Sequence, residues 1–282
     1  MIVEEHFFDL DGTKAHCVTA GEGKPIVLLH GWGASWHVWQ WTIPLLVEAN
    51  FRVYAPDLIG HGDSAKPPLA YVAEDYDVYL EALLAHLGIP SAILVGHSLG
   101  GHIALRYAVT HPSQVDRLVL LDPIYTKGQL AIPWITKLDS FRLGESLYRV
   151  FPYRLLRFST EWPIYGLRHL PPSFKDKMAR DYKVAHPRIV NSVRNLEDLR
   201  PHLRQVSAPT LIVWGDRDLL LKPWSFPPLV EKIPRAHGYE VKRAGHIPQV
   251  EAIEEFNAVL LDFLNGSWQR GLAAEDRDQA DG

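Results

Sequence analysis

Short aliphatic runs alternate along this chain with longer amphipathic segments. Near-continuous aliphatic runs of four to six residues are typical of parallel strands that are covered on both faces. The runs that fit this pattern lie at 25–29, 52–56, 92–95, 118–121 and 211–214. The stretch 239–242 alternates polar and apolar residues, as a strand at the edge of a sheet does.

Three of the intervening segments carry apolar residues at helical spacing. The first is followed by Gly88, a typical residue just past a helix end, and the second by Pro112. Strands that alternate with helices predict an α/β fold, with a mostly parallel sheet and helices on both of its faces. The apolar positions of the three helices are Leu80, Leu83, Leu84 and Leu87, then Ile103, Ala104, Tyr107 and Ala108, then Phe256, Leu260 and Phe263.

The alternation stops after Pro123 and resumes near residue 208. We therefore expect an α/β core formed by residues 1–123 and 205–265, interrupted by a helical, proline-broken insertion at 124–204. The last residues, 266–282, are small and charged, which is typical of a disordered tail.

Composition narrows the class of protein. The chain has 282 residues, 47% of them hydrophobic, and a net charge of −4, which disfavours both wholesale disorder and nucleic-acid binding. Cys17 is the single cysteine, and the acidic start lacks the pattern of a signal peptide. No apolar run reaches the ~20 residues that span a bilayer. We expect a cytoplasmic enzyme with a small-molecule substrate, without nucleic-acid or membrane partners, as a monomer or homodimer.

The segment Gly96-His97-Ser98-Leu99-Gly100 lies between a predicted strand and a predicted helix. A sharp strand-to-helix turn with glycine on either side of a serine is the arrangement that exposes a nucleophilic hydroxyl. The helix N-terminus behind it favours developing negative charge. We predict that Ser98 is a catalytic nucleophile.

A serine hydroxyl needs a base, and the base needs an orienting acid. Among 14 histidines, position selects His246, because it follows the last predicted strand, where a parallel sheet presents its site. The acid is predicted to be Asp218, in the loop after strand 211–214. Asp122, at the end of strand 118–121, and Asp216, which could instead close the turn, are the alternatives.

An oxyanion formed at the serine needs backbone donors. Gly31 and Gly33 follow the predicted strand 25–29 and give its loop the freedom to turn a backbone N–H into the site. We therefore assign the donors to the backbone N–H groups of Trp32 and Leu99. The loop lacks the third glycine of a dinucleotide fingerprint. No Walker loop or Cys/His metal motif is present, so we expect neither cofactor nor metal.

Taken together, these motifs resemble those of α/β-hydrolase fold enzymes of the esterase and C–C hydrolase type. The resemblance covers about residues 3–265 and implies that the insertion is a helical cap over the active site. It also implies that the turn at 57–64 is structural. The motifs that carry it, in the order of the family, are at 30–31, 57–64, 96–101, 214–218 and 245–251.

The resemblance also helps to choose among the reactions that members of this fold perform. Haloalkane dehalogenases and epoxide hydrolases of this fold carry Asp at the nucleophile position, where this chain has Ser98. C–C hydrolases often have Trp after the catalytic histidine, where this chain has Ile247. We therefore predict a carboxylesterase acting on small to medium apolar acyl esters, with a C–C hydrolase or a non-enzymatic receptor as the alternatives. Cap aromatics such as Trp134 and Trp162 suggest an apolar pocket.

Overall fold

A computed structural model describes residues 3–131 and 170–266 of the chain. Its centre is an eight-stranded sheet with the order β1-β2-β4-β3-β5-β6-β7-β8. The pairs β1/β2 and β2/β4 are antiparallel and all the others are parallel. The strands are β1 Glu4–Leu10, β2 Thr13–Ala20, β3 Lys24–Leu29, β4 Phe51–Pro56, β5 Ala92–His97, β6 Val115–Leu121, β7 Thr210–Gly215 and β8 Ala236–Val241.

Helices follow most of the parallel strands. In the described residues the α-helices are α1 Ile43–Glu48, α2 Ala73–His86, α3 Leu99–Thr110, α4 Pro172–Val184, α5 Val190–Arg194, α6 Pro227–Lys232, α7 Pro248–Glu251 and α8 Ile253–Leu264. Short 3-10 turns occur at Trp36–Trp39, Pro112–Gln114, Lys127–Gln129, Pro187–Ile189, Arg200–Gln205 and Pro223–Ser225.

The sheet separates two apolar cores. Successive residues of a strand point to opposite faces. In β3, Val27 and Leu29 therefore join the core beneath α2 and α3, whereas Ile26 and Leu28 join the core beneath α1 and α8. This double burial explains why the central strands are aliphatic throughout, and it confirms the predicted layer of helices on each face.

All six strands predicted from the sequence are present, and β8 lies at a sheet edge as expected. The three predicted helices correspond to α2, α3 and α8. The hairpin β1–β2 has no counterpart among the predictions. Its second strand buries polar residues such as His16 and Thr19, which hides the apolar pattern on which the prediction depends.

The predicted insertion at 124–204 is partly described. Over residues 170–204 it contains α4, α5 and 3-10 turns, and strand pairing in its described part is limited to one bridge between Leu130 and Leu221. Residues near both of its ends, including Ile124 and Leu203, belong to the core beneath α2 and α3. The division into core and cap stays a prediction. Trp134, Trp162 and the tail after Gly266 lie outside the described residues.

No helix among residues 3–131 and 170–266 combines the length and the apolar character needed to cross a membrane.

Candidate active site

Ser98 occupies a backbone conformation that few residues other than glycine adopt, with φ 51° and ψ −110°. Its N–H donates to the carbonyl of Leu121 at 2.9 Å, and its own carbonyl accepts from His102 at 3.0 Å. A Cβ at Gly96 would lie 2.3 Å from the carbonyl oxygen of Gly100, so a side chain there would collide with the turn. The glycine requirement inferred from the sequence therefore has a steric cause.

Three predicted side chains meet above the ends of β5, β7 and β8. Nε2 of His246 lies 3.0 Å from Oγ of Ser98, and Nδ1 of His246 lies 2.7 Å from Oδ2 of Asp218. With Nδ1 protonated, the ring donates to the carboxylate and accepts from the serine hydroxyl. The arrangement can remove the hydroxyl proton as the oxygen attacks a carbonyl.

Asp218 is held from both sides. Its Oδ1 accepts the backbone N–H groups of Leu220 at 2.7 Å and Leu221 at 3.0 Å. Burial acts to raise the pKa of this carboxyl, but the neighbouring His246 and the two backbone donors outweigh it and lower the pKa. Asp218 is therefore ionised and can stabilise an imidazolium at His246.

Neither alternative acid, Asp216 or Asp122, takes the position of Asp218 at the histidine. Asp216 is directed away from the histidine, because its Oδ1 accepts the N–H of Arg243 at 2.7 Å. That bond ties two loops together, whereas the sequence suggested a bond within Asp216's own turn. Asp122 is fully buried beside the site: carboxylate and imidazole atoms of Asp122, Asp218 and His246 all lie within 4.8 Å of one another.

The environment of Asp122 favours the neutral form of its carboxyl. Burial and the nearby charge of Asp218 raise its pKa well above the usual range. Its Oδ1 accepts from the N–H of Gly215 at 3.2 Å, and Oδ2 has no partner among the described residues. Asp122 therefore accepts a hydrogen bond from the end of β7, and Asp218 is the carboxylate that bonds Nδ1 of His246.

The loop after β3 lies against the serine turn. A Cβ at Gly31 would be 3.2 Å from Cβ of Ser98 and 2.8 Å from Nδ1 of His97, so only glycine permits this approach. Within the described part of the chain, the backbone N–H groups of Trp32 and Leu99 have no acceptor. Two unused donors beside a nucleophile are what an oxyanion requires.

Histidines near the serine have structural partners. Nε2 of His97 donates to the carbonyl of His246 at 2.7 Å, which fixes the backbone of the loop that carries His246. Burial lowers the pKa of His97 to about 3, so the ring is neutral.

The turn at 57–64 has the structural character that the resemblance implied. Oδ1 of Asp57 accepts from the N–H of Trp36 at 2.9 Å, and Oδ2 accepts from His16 and from the N–H of Asp63, both at 2.8 Å. Burial opposes ionisation of Asp57, but His16 and these donors lower its pKa. Asp57 thereby joins β2, β4 and the segment after the Gly31 loop.

Comparison with known proteins agrees with this geometry. Residues 24–253 match the alpha/beta hydrolase fold family. The chain belongs to the alpha/beta hydrolase fold family. This match confirms both the fold predicted from the sequence and the resemblance inferred from the motifs.

Its relatives perform several reactions. A soluble epoxide hydrolase of Corynebacterium sp. (strain C12) is 41% identical over 122 residues, which is 43% of this chain and only 42% of that enzyme. The 2-hydroxymuconate semialdehyde hydrolase of Pseudomonas sp. (strain CF600) is 29% identical over 267 residues, 90% of this chain and 91% of that enzyme.

Among solved structures, a membrane phospholipase A described as a bacterial virulence factor superposes with a TM-score of 0.81 at 28% identity. The match covers 94% of this chain and 86% of the phospholipase chain. These comparisons identify the protein as a hydrolytic enzyme.

Two residues at the site had no signal in the sequence. Asp181 and Tyr182 lie on α4, within the predicted insertion, and both contact the loop that carries Trp32. The helix is polar and has no motif, so neither residue could be singled out before the fold brought it to the loop.

Proposed function

We propose that the protein is a cofactor-independent serine hydrolase that cleaves esters of small to medium apolar carboxylic acids. The observation that carries the proposal is the continuous hydrogen-bonded chain from Oγ of Ser98 through His246 to Asp218, with distances of 3.0 and 2.7 Å. A chain with this order of groups activates a hydroxyl that is otherwise a weak nucleophile.

The reaction proceeds in two halves. His246 takes the proton of Ser98 as Oγ attacks the ester carbonyl, and the N–H groups of Trp32 and Leu99 stabilise the oxyanion. His246 then gives its proton to the departing alcohol, which leaves an acyl group on Ser98. Water, deprotonated by His246, attacks the acyl carbon and releases the acid. Asp218 stays ionised throughout and holds the imidazole in the required tautomer.

Hydrolysis of a carbon–carbon bond with the same residues is the second candidate. It is supported by the 2-hydroxymuconate semialdehyde hydrolase, whose similarity extends over 90% of this chain. Ile247 after the histidine weighs against it, because the C–C hydrolases resembled in the sequence often carry Trp there. A receptor that binds without reaction is weaker still, since binding alone does not require a complete chain from Ser98 to Asp218.

We also propose a cytoplasmic location and a small-molecule substrate, with the protein as a monomer or homodimer and without nucleic-acid or membrane partners. The single cysteine, Cys17, is buried, which suits a reducing compartment. The net charge of −4 offers no basic footprint for nucleic acid.

The test is a series of p-nitrophenyl esters of increasing acyl length, assayed with the native protein and Ser98→Ala, together with titration by a fluorophosphonate. We expect turnover of short and medium esters, stoichiometric labelling, and loss of both in the variant. Labelling without ester turnover would favour the C–C hydrolase, assayed next on vinylogous diketones. Absence of labelling would refute an activated Ser98.

A further inference from the structure

The loop Gly31–Ser35, which we call the donor loop, is packed between the serine turn and helix α4. On one side, Gly31 approaches Ser98 so closely that a Cβ on Gly31 would lie 3.2 Å from Cβ of the serine. On the other side, the ring of Tyr182 covers Gly33: a Cβ there would be 2.4 Å from the ring carbons Cδ1 and Cε1. The indole of Trp32 meets the same ring edge-on at 5.6 Å.

A second contact joins the donor loop to α4 two residues further on. Oγ of Ser35 donates to Oδ2 of Asp181 at 2.5 Å. The other oxygen of Asp181 accepts from Lys177, one turn earlier on the same helix. Asp181 is 3% exposed, so this bond is formed out of contact with bulk water. Burial, outweighing Lys177 and Ser35, raises the pKa of Asp181.

Among residues 3–131 and 170–266, the rest of the donor loop has few hydrogen bonds to the core. The N–H of Ala34 donates to the carbonyl of Gly31 at 3.2 Å, within the loop itself. Gly33 has φ 70°, a conformation that does not by itself hold a glycine in place, because glycine explores this region freely. The direction of the Trp32 N–H therefore depends on what packs against the loop from outside.

We propose that Tyr182 and Asp181 are positioning residues that hold the donor loop so that the Trp32 N–H faces the oxyanion at Ser98. This inference rests on the proposed function for its catalytic consequence, but not for its structural part. Hydrogen bonds to a developing oxyanion depend steeply on geometry, and a misplacement of about 1 Å can cost about 10²-fold in rate. The predicted cap thereby acts on the chemical step through the helix that covers the loop.

The principal variant is Tyr182→Ala, which removes the ring from Gly33 and Trp32. We expect kcat to fall by roughly tenfold or more while KM changes less than about threefold, because an oxyanion donor acts in the transition state. Tyr182→Phe keeps Cδ1 and Cε1 and should restore the rate. Ser35→Ala, which removes the bond to Asp181, should lower kcat in the same direction. Val184→Ala, at an exposed position of the same helix, is the matched control.

A second measurement does not depend on catalysis. Hydrogen exchange of a peptide spanning residues 30–36 reports the bonded amides of Ala34 and Trp36. We expect faster exchange of this peptide in Tyr182→Ala and Ser35→Ala, and native exchange in Tyr182→Phe and Val184→Ala. The amides of α3 should exchange at the native rate in all four variants. Thermal unfolding of each variant identifies any that has lost its fold.

The outcomes separate the two proposals. Unchanged exchange in Tyr182→Ala overturns the positioning role, and so does faster exchange without a fall in kcat. A raised KM with altered acyl-length preference and native exchange overturns it as well, because Tyr182 would then contact substrate. If the native protein hydrolyses no ester, the proposed function fails. Faster exchange that Tyr182→Phe reverses would in that case still support the holding of the loop.

Discussion

Asp218→Asn is the substitution whose effect follows most directly from the hydrogen bonds of the site. Oδ1 of Asp218 accepts two backbone N–H groups, so an asparagine keeps its carbonyl oxygen at that position. Its NH2 group then faces Nδ1 of His246, which lies 2.7 Å from the native carboxylate. Nδ1 must accept this bond, and the ring proton moves to Nε2. That atom faces Ser98 and can no longer accept the hydroxyl proton.

The expected loss is large because the general base disappears while the geometry stays. We expect kcat to fall by about 10⁴-fold, equivalent to about 5.4 kcal/mol of activation free energy. KM should change little, since Asp218 is buried beneath the histidine. Initial rates with a short p-nitrophenyl ester measure both constants.

Asp216→Asn is the matched control, because Asp216 bonds Arg243 outside the site, and its kcat should stay within about threefold of native. A loss below about tenfold in Asp218→Asn would refute the tautomer argument. The double variant with Asp218→Asn and Asp122→Asn tests whether Asp122 replaces Asp218. A further fall in kcat would show that Asp122 takes over as the orienting acid.

Three further predictions concern other residues of the fold. Gly31→Ala places a Cβ 2.8 Å from Nδ1 of His97, so kcat should fall by about 10²-fold in the ester assay while circular dichroism stays native. Arg106→Ala removes the cation that pairs with Asp77 and Glu197, and urea unfolding should show a loss of about 2 kcal/mol, whereas an unchanged midpoint would contradict a stabilising role. Burial lowers the pKa of His102 to about 4, so between about pH 4 and pH 6.5 the unfolded chain binds this proton and the folded chain does not. The free energy of unfolding should therefore fall on acidification from pH 6.5 to 4, by about 1.4 kcal/mol per pH unit for this group, and His102→Gln should show a shallower pH dependence.

The sequence sufficed where local geometry and chemistry coincide. The signals for the turn at Ser98 all lie within ten residues of it: the glycines, the aliphatic strand before it and the helix after it. The turn could therefore be predicted without knowledge of the rest of the fold. The prediction of Asp218 rested on its place in the loop after strand 211–214. The same reasoning placed His246, because parallel strands deliver their loops to one edge of the sheet.

Features that depend on contacts between distant segments were inaccessible. Strand β2 places His16 beside Asp57, 41 residues away, and its polar residues are buried because a partner satisfies them there. The bond between Ser35 and Asp181 joins positions 146 residues apart. Neither pair has a local pattern, since each residue acquires its partner only after the sheet and α4 have assembled.

The backbone at Ser98 has a consequence for the evolution and engineering of this enzyme. Holding a serine at φ 51° and ψ −110° costs on the order of 1–3 kcal/mol, which glycine would not incur. Ser98→Gly should therefore raise the melting temperature of the protein and, under the proposed mechanism, abolish hydrolysis. A selection for heat resistance alone would favour loss of Ser98. Only a selection for turnover and folding together would retain a serine at this position. The activity is therefore maintained against the conformational preference of the backbone at Ser98.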